Sequence, residues 1–133
     1  MNKKALFLFL LLFVSSSYAQ TPAFLELIKQ YQSQGASLAD IKQGQELWQQ
    51  TFQHKNSNKD RSCRLCHGTN LKQNGKHIKT GKIIKPLAPS VNANSLTQVK
   101  KIKKWIKRNC KWTIGRECTA QEKVNLLSYI SAQ

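Results

Sequence analysis

The 133-residue chain is expected to be all-α on three observations. Apolar residues recur at helical spacing in four segments, each segment opens on a capping signal, and no stretch alternates apolar and polar residues over a useful strand length. No internal repeat is present, so the elements belong to one arrangement and not to a stacked array.

The first nineteen residues read as an export signal. Lys3 and Lys4 supply the positive start, Ala5 to Val14 is uninterruptedly apolar, and Ser17-Tyr18-Ala19 offers small residues for cleavage after Ala19. That apolar run is shorter than the ~20 residues a spanning helix needs, and no later segment reaches that length. The expectation is a periplasmic mature protein that does not span a membrane, with residues 20–133 forming one domain.

Thr21-Pro22 is a plausible N-cap and N1 pair for a leading helix carrying Phe24, Leu27, Ile28 and Tyr31, which Gln34-Gly35 would end. Ser37-Leu38-Ala39-Asp40 resembles a capping box and opens a second helix, with Ile41, Leu47, Trp48 and Phe52 as candidate buried positions. Residues 54–61 read as a polar loop, and 68–85 as a long Gly, Asn and Lys segment. Pro86 and Pro89 argue against helix in the stretch that follows. Ser95 is the expected cap of a middle helix running to about Arg108, with Val99, Ile102 and Ile106 on one face. Thr119-Ala120-Gln121-Glu122 is a second capping box, opening a last helix with Val124, Leu127 and Ile130 as its stripe.

Between the second helix and the polar segment lies Cys63-Arg64-Leu65-Cys66-His67. At CxxCH spacing two thiols can bond to the vinyl groups of one haem while the next imidazole reaches its iron, so Cys63 and Cys66 are the expected thioether anchors and His67 the proximal ligand. A zinc clamp is the competing reading, but it requires a second CxxC, and Cys110 and Cys118 do not supply one. Those two remain as an even pair in an oxidising compartment, where a disulfide is the natural outcome. Closing that short loop would stabilise by about 2 to 3 kcal/mol in the chain-entropy picture.

The sixth iron position is unusual. The only methionine is Met1, which leaves with the signal, so a thioether ligand is excluded by composition. His54 or His77 could complete a bis-histidine site, a lysine could bind after losing its proton, and amides or hydroxyls could bind weakly. Asn109 shares a helical face with Val99, Ile102 and Ile106, a placement that suits either iron ligation or a helix C-cap.

Twenty-two basic residues face six acidic ones; without Lys3 and Lys4 the mature net charge is +14. Export argues against nucleic acid as the partner of this charge. Lys100, Lys101, Lys103, Lys104, Lys107, Arg108 and Lys111 crowd one segment that would steer an acidic redox partner if it lies near the haem edge.

The order of helix, CxxCH, proline-bearing loop, middle helix and terminal helix resembles the class I cytochrome c fold with one covalent haem and an extra N-terminal helix. Gly44 with Trp48 resembles the glycine and aromatic pair of that fold's first helix, and Leu126 to Ile130 resembles the terminal helix that crosses it. Pro86 matches the proline whose carbonyl accepts a hydrogen bond from the proximal imidazole.

A narrower resemblance rests on Arg108-Asn109-Cys110, Gly115 to Lys123, Lys85 to Ser90 and the CxxCH: these are similar to the sphaeroides haem protein family, small high-spin class I cytochromes c. The resemblance implies that Asn109 ligates ferric iron and leaves on reduction, opening a site for oxygen, nitric oxide or carbon monoxide, and that Cys110 and Cys118 are bridged. It also implies a dihaem cytochrome c as electron donor. A hard amide oxygen suits ferric better than ferrous iron, which gives this behaviour a physical basis. Two other readings stay open: a plain electron carrier with a permanent histidine sixth ligand, and a slow converter of oxygen, nitric oxide or nitrogen oxides, although no positioned acid, base or second cofactor is visible.

Overall fold

The computed structural model describes residues 20–53 and 59–133. The export signal, His54 and most of the polar loop lie outside the described residues. Five helices, α1 (Pro22–Ser33), α2 (Ile41–Gln49), α3 (Arg64–His67), α4 (Val99–Ile114) and α5 (Ala120–Ser131), are joined by two short antiparallel ribbons. In the first, β1 (Phe52–Gln53) pairs with β2 (Asp60–Arg61); in the second, β3 (Gly75–Lys76) pairs with β4 (Ile83–Ile84). Each strand is two residues long, too short to show as alternation in sequence.

Helix α1 starts as its sequence demands. The Thr21 hydroxyl accepts from the Phe24 N–H, Pro22 fills the first turn where no donor is needed, and Gly35 ends the segment at φ 97°. Phe24, Leu27 and Tyr31 are buried on one stripe against Ile102, Val124 and Leu127. Helix α5 carries the expected capping box: Thr119 accepts from the Glu122 N–H while the Glu122 carboxylate accepts from the Thr119 N–H.

Two caps differ from expectation. Asp40, not Ser37, caps α2, accepting from the Gln43 N–H at 3.0 Å. The Ser37 N–H instead donates to Gln121 Oε1 at 2.7 Å, and Ile41, at the helix start, is exposed. Ser95 does not cap α4 either. Its hydroxyl donates to the Leu87 carbonyl, and Leu96 sits at φ 54°, a left-handed conformation that cannot form part of a right-handed helix. Helix α4 therefore begins at Val99, and it runs past Arg108 to Ile114, ending on Gly115 at φ 88°.

The central packing is the crossing of α2 and α5. At Gly44 a Cβ would lie 2.2 Å from the Asn125 carbonyl oxygen and 2.9 Å from the Tyr129 Cβ, so only glycine allows this approach. One turn on, Trp48 is buried beside Tyr129, ring centroids 6.0 Å apart. Asn125, buried in α5, stitches the pair: its Oδ1 accepts from the Asp40 N–H and from Gln121, and its Nδ2 donates to Gln43.

Two outcomes follow for stability. A Gly44→Ala variant should lose about 1–3 kcal/mol, read as a shift of the guanidinium midpoint at constant slope. The Arg116 guanidinium, bonded to both Glu122 oxygens at 2.7 Å, is the main cause holding that carboxyl below its ordinary range, aided by the Thr119 N–H. A depressed carboxylate stabilises above its unfolded pKa and loses that contribution as pH falls through the lower folded value. Glu122→Gln should therefore cost about 1 kcal/mol at neutral pH, with the difference from the parent closing in acid, as urea unfolding at a series of pH values would show.

Candidate haem-binding site

The CxxCH run folds as the single turn α3, with Cys63 at its N-cap and the His67 N–H donating to the Cys63 carbonyl at 3.2 Å. This curl brings Cys63 and Cys66 to neighbouring positions one turn apart, with His67 following directly. All three are half-buried. Burial is the chief reason the Cys63 thiol is pushed up to about 11, with the nearby Cys66 adding to it. Burial also lowers the His67 pKa, so the ring stays neutral at physiological pH, the form that ligates iron.

The turn is held from two sides. Trp48 Nε1 donates to the Gly68 carbonyl at 3.1 Å, and its ring lies 5.5 Å from the His67 ring. On the other side, the β3–β4 ribbon presses its backbone onto the turn: a Cβ on Gly75 would lie 2.2 Å from the Cys66 carbonyl oxygen and 3.0 Å from the His67 Cα. The proline loop is tied to the same region, since the Leu87 and Ala88 N–H groups both donate to the Leu71 carbonyl at 3.0 Å. The Pro86 carbonyl accepts from Asn92 Nδ2 at 2.6 Å.

Elsewhere in the fold, Ile102, Ile106, Asn109 and Thr113 share one face of α4. Asn109 lies within the helix and not at its C-cap, its amide exposed on the polypeptide and without a partner among the described residues. The next residue, Cys110, is bridged to Cys118 with a Cα separation of 5.6 Å, and both are buried. Lys100, Lys104, Lys107 and Lys111 lie on the opposite face of α4, flanked by Lys101 and Lys103. Lys107 and Lys111 are already paired with Glu117 at 3.4 and 3.2 Å. His77 sits in the β3–β4 loop, where its Nδ1 faces the Thr80 N–H and hydroxyl at 3.2 and 3.1 Å.

The donor set fits haem. Two thiols and a neutral imidazole on one turn are what thioether attachment and axial ligation need, whereas a zinc ion needs four ligands, and among the described residues no three His, Cys, Asp or Glu side chains are arranged to hold a metal ion by themselves. Sequence reasoning missed Gly75, Asn92 and Arg61. Gly75 lies in a polar Gly, Asn and Lys segment that carries no packing signal, and the partners of the other two become visible only in three dimensions.

Fold and site together define a class I cytochrome c. Residues 34–130 match the family described as a domain of unknown function, DUF1924. The chain is 38% identical over 108 residues to the cytochrome c-type protein SHP of Cereibacter sphaeroides, spanning 81% of this chain and 82% of that protein. Among solved structures it is similar to oxidised SHP, an oxygen-binding cytochrome c, at TM-score 0.74 and 35% identity over 86% of this chain and 99% of that one. It is also similar to oxidised cytochrome c'' from Methylophilus methylotrophus, at TM-score 0.71 and 30% identity over 80% and 90% of the two chains. The chain belongs to the sphaeroides haem protein family, high-spin c-type cytochromes that carry haem covalently.

Gly75→Ala should force the ribbon off the attachment turn at a cost of about 1–3 kcal/mol. The expected result is a lower thermal midpoint together with less covalent haem per chain, seen by haem staining of a denaturing gel.

Proposed function

We propose that this is an exported, periplasmic monohaem cytochrome that accepts an electron from an acidic redox partner, a dihaem cytochrome c by family resemblance. In the reduced state it binds a diatomic ligand such as oxygen or nitric oxide. The observation that carries the reading is Asn109: an amide with no partner among the described residues, on the same face of α4 as Ile102 and Ile106, with the neighbouring position covalently pinned. Cys63 and Cys66 would anchor haem and His67 would ligate it, while the Pro86 carbonyl, which accepts from Asn92, would set the proximal tautomer.

When bound, the haem supplies a one-electron couple and an axial position that can take a small ligand. The chain's part is to present the Asn109 oxygen to ferric iron and let it go on reduction. Ile102 and Ile106 keep that side apolar, so a neutral diatomic enters at little desolvation cost while water gains little. No helix among the described residues is long and apolar enough to cross a membrane.

Electron delivery is favoured by charge. From Arg61 to Arg116 the sequence holds fifteen basic residues and no acid. The α4 lysines belong to this field: Lys107 and Lys111 are partly neutralised by Glu117, while Lys100, Lys101, Lys103 and Lys104 carry no ion pair among the described residues. Such a field raises the encounter rate with an acidic donor and weakens with salt.

The test is the optical spectrum of dithionite-reduced protein before and after carbon monoxide. Broad high-spin bands that shift with the gas are expected. Narrow low-spin bands indifferent to it would replace this reading with that of a plain electron carrier. Asn109→Ala should change the ferric spectrum and leave the reduced spectrum close to that of the parent; an unchanged ferric spectrum would sink the ligand assignment.

A further inference from the structure

Helix α4 ends with carbonyls that have no partner inside the helix, as every helix does. One of them, at Trp112, is taken by a residue from a distant part of the chain: Arg61 Nη1 donates to it at 2.7 Å. The same guanidinium lies over the Trp112 ring, 4.7 Å from its centroid. Two contacts of different kinds thus converge on one residue, and a cation at a helix C-terminus is also favoured by the helix dipole. Arg61 is half-buried, which strengthens both.

The position of Arg61 gives this contact a consequence. It closes β2, which pairs with β1, and stands two residues before Cys63, one of the two expected thioether anchors. Trp112 stands three residues after Asn109, on the next turn of α4. The disulfide ties the end of α4 to the start of α5, whereas Arg61 ties it to the strand that enters the attachment turn.

We propose that Arg61 is a positioning residue for the proposed ligand Asn109: it fixes the Asn109 turn of α4 relative to the attachment strand by locking that helix end to it. The inference rests on the reading of Asn109 as ferric ligand and adds to it the residue that sets how well the amide reaches. With Arg61 in place the helix backbone stays put, and Asn109 arrives and leaves by side-chain rotation. Without it the last turns of α4 gain slack, and the weak amide ligand is the first contact to suffer.

The test compares holoprotein variants using azide for the ferric state and carbon monoxide for the ferrous state. Asn109 competes with azide but is already off the ferrous iron. Arg61→Gln should therefore raise ferric azide affinity about tenfold and leave the carbon monoxide association rate unchanged. Arg61→Lys, which keeps the charge but loses the planar fork, should fall between parent and Arg61→Gln. In the Asn109→Ala background, Arg61→Gln should add nothing. Trp112→Leu, which keeps the carbonyl and loses the ring, supplies a second variant should Arg61→Gln fail to fold, with a smaller gain in the same direction. Parent-like azide affinity in these variants, or equal gains for azide and carbon monoxide, would overturn the inference. If Asn109→Ala raises azide affinity and the Arg61 and Trp112 variants do not, only this inference fails; if Asn109→Ala leaves it unchanged, the ligand assignment fails and this inference goes with it.

Discussion

The contact between the backbones of α2 and α5 at Gly44 is the constraint from which the site geometry descends. Because the Asn125 carbonyl occupies the space a side chain would need, the two helices meet at backbone distance, and the register of that meeting decides where Trp48 lies. Trp48 then does two things at once: its ring fills the space beside Tyr129, and its N–H fixes the Gly68 carbonyl just past the attachment turn. A slide of α2 along α5 would carry the indole away from both. The Asn125 hydrogen bonds to Asp40, Gln43 and Gln121 oppose such a slide, since the buried Asn125 amide would lose its partners.

The two sides of the site are held by different means. On the side of His67 the tethers are largely backbone: the curl of α3, the close approach at Gly75, and the paired donors of Leu87 and Ala88 on one carbonyl. Such contacts have little freedom to rearrange. On the side of Asn109 the helix is placed by side chains and one covalent bridge, with Ile102 packed against α1 and Ile106 lying between the two core clusters. On the proposed reading, a rigid side at His67 and a side-chain-mounted side at Asn109 suit a cytochrome in which one axial ligand is permanent and the other exchangeable.

Much of this was legible in the sequence, and the misses share a cause. The CxxCH turn, the Thr21 and Thr119 caps and the Gly44 crossing are local signals, or pairs whose chemistry leaves few alternatives. Ser37 and Ser95 mislead because a hydroxyl or amide preceding a helix caps it only when no partner elsewhere in the chain competes. Gln121 holds the Ser37 backbone and the Leu87 carbonyl holds the Ser95 hydroxyl, partners 84 and 8 residues away. The end of α4 was placed too early because basic residues and an asparagine imitate a C-terminus, whereas the helix in fact continues to the glycine that can turn left-handed. Gly75, Arg61 and Asn92 act through contacts that no periodicity encodes.

The distribution of charge separates the two tasks of the proposed reading. Acids bound the basic stretch at Asp60 and Glu117 and are missing between them, so the attachment turn, the second ribbon and α4 contribute only basic charges. Glu117 relieves that crowding only at the far end of α4, where it meets Lys107 and Lys111 beside the disulfide. A neutral diatomic ligand feels almost none of this field, because the field acts on net charge. An acidic protein feels all of it, within about a Debye length of ~8 Å at physiological salt. On this reading the lysines choose the electron donor and leave ligand capture alone, while the apolar face of α4 and the amide it carries govern the ligand and leave the donor alone. Two selections that never meet at the same residues can be tuned independently, which a chain this small could not achieve if one surface served both.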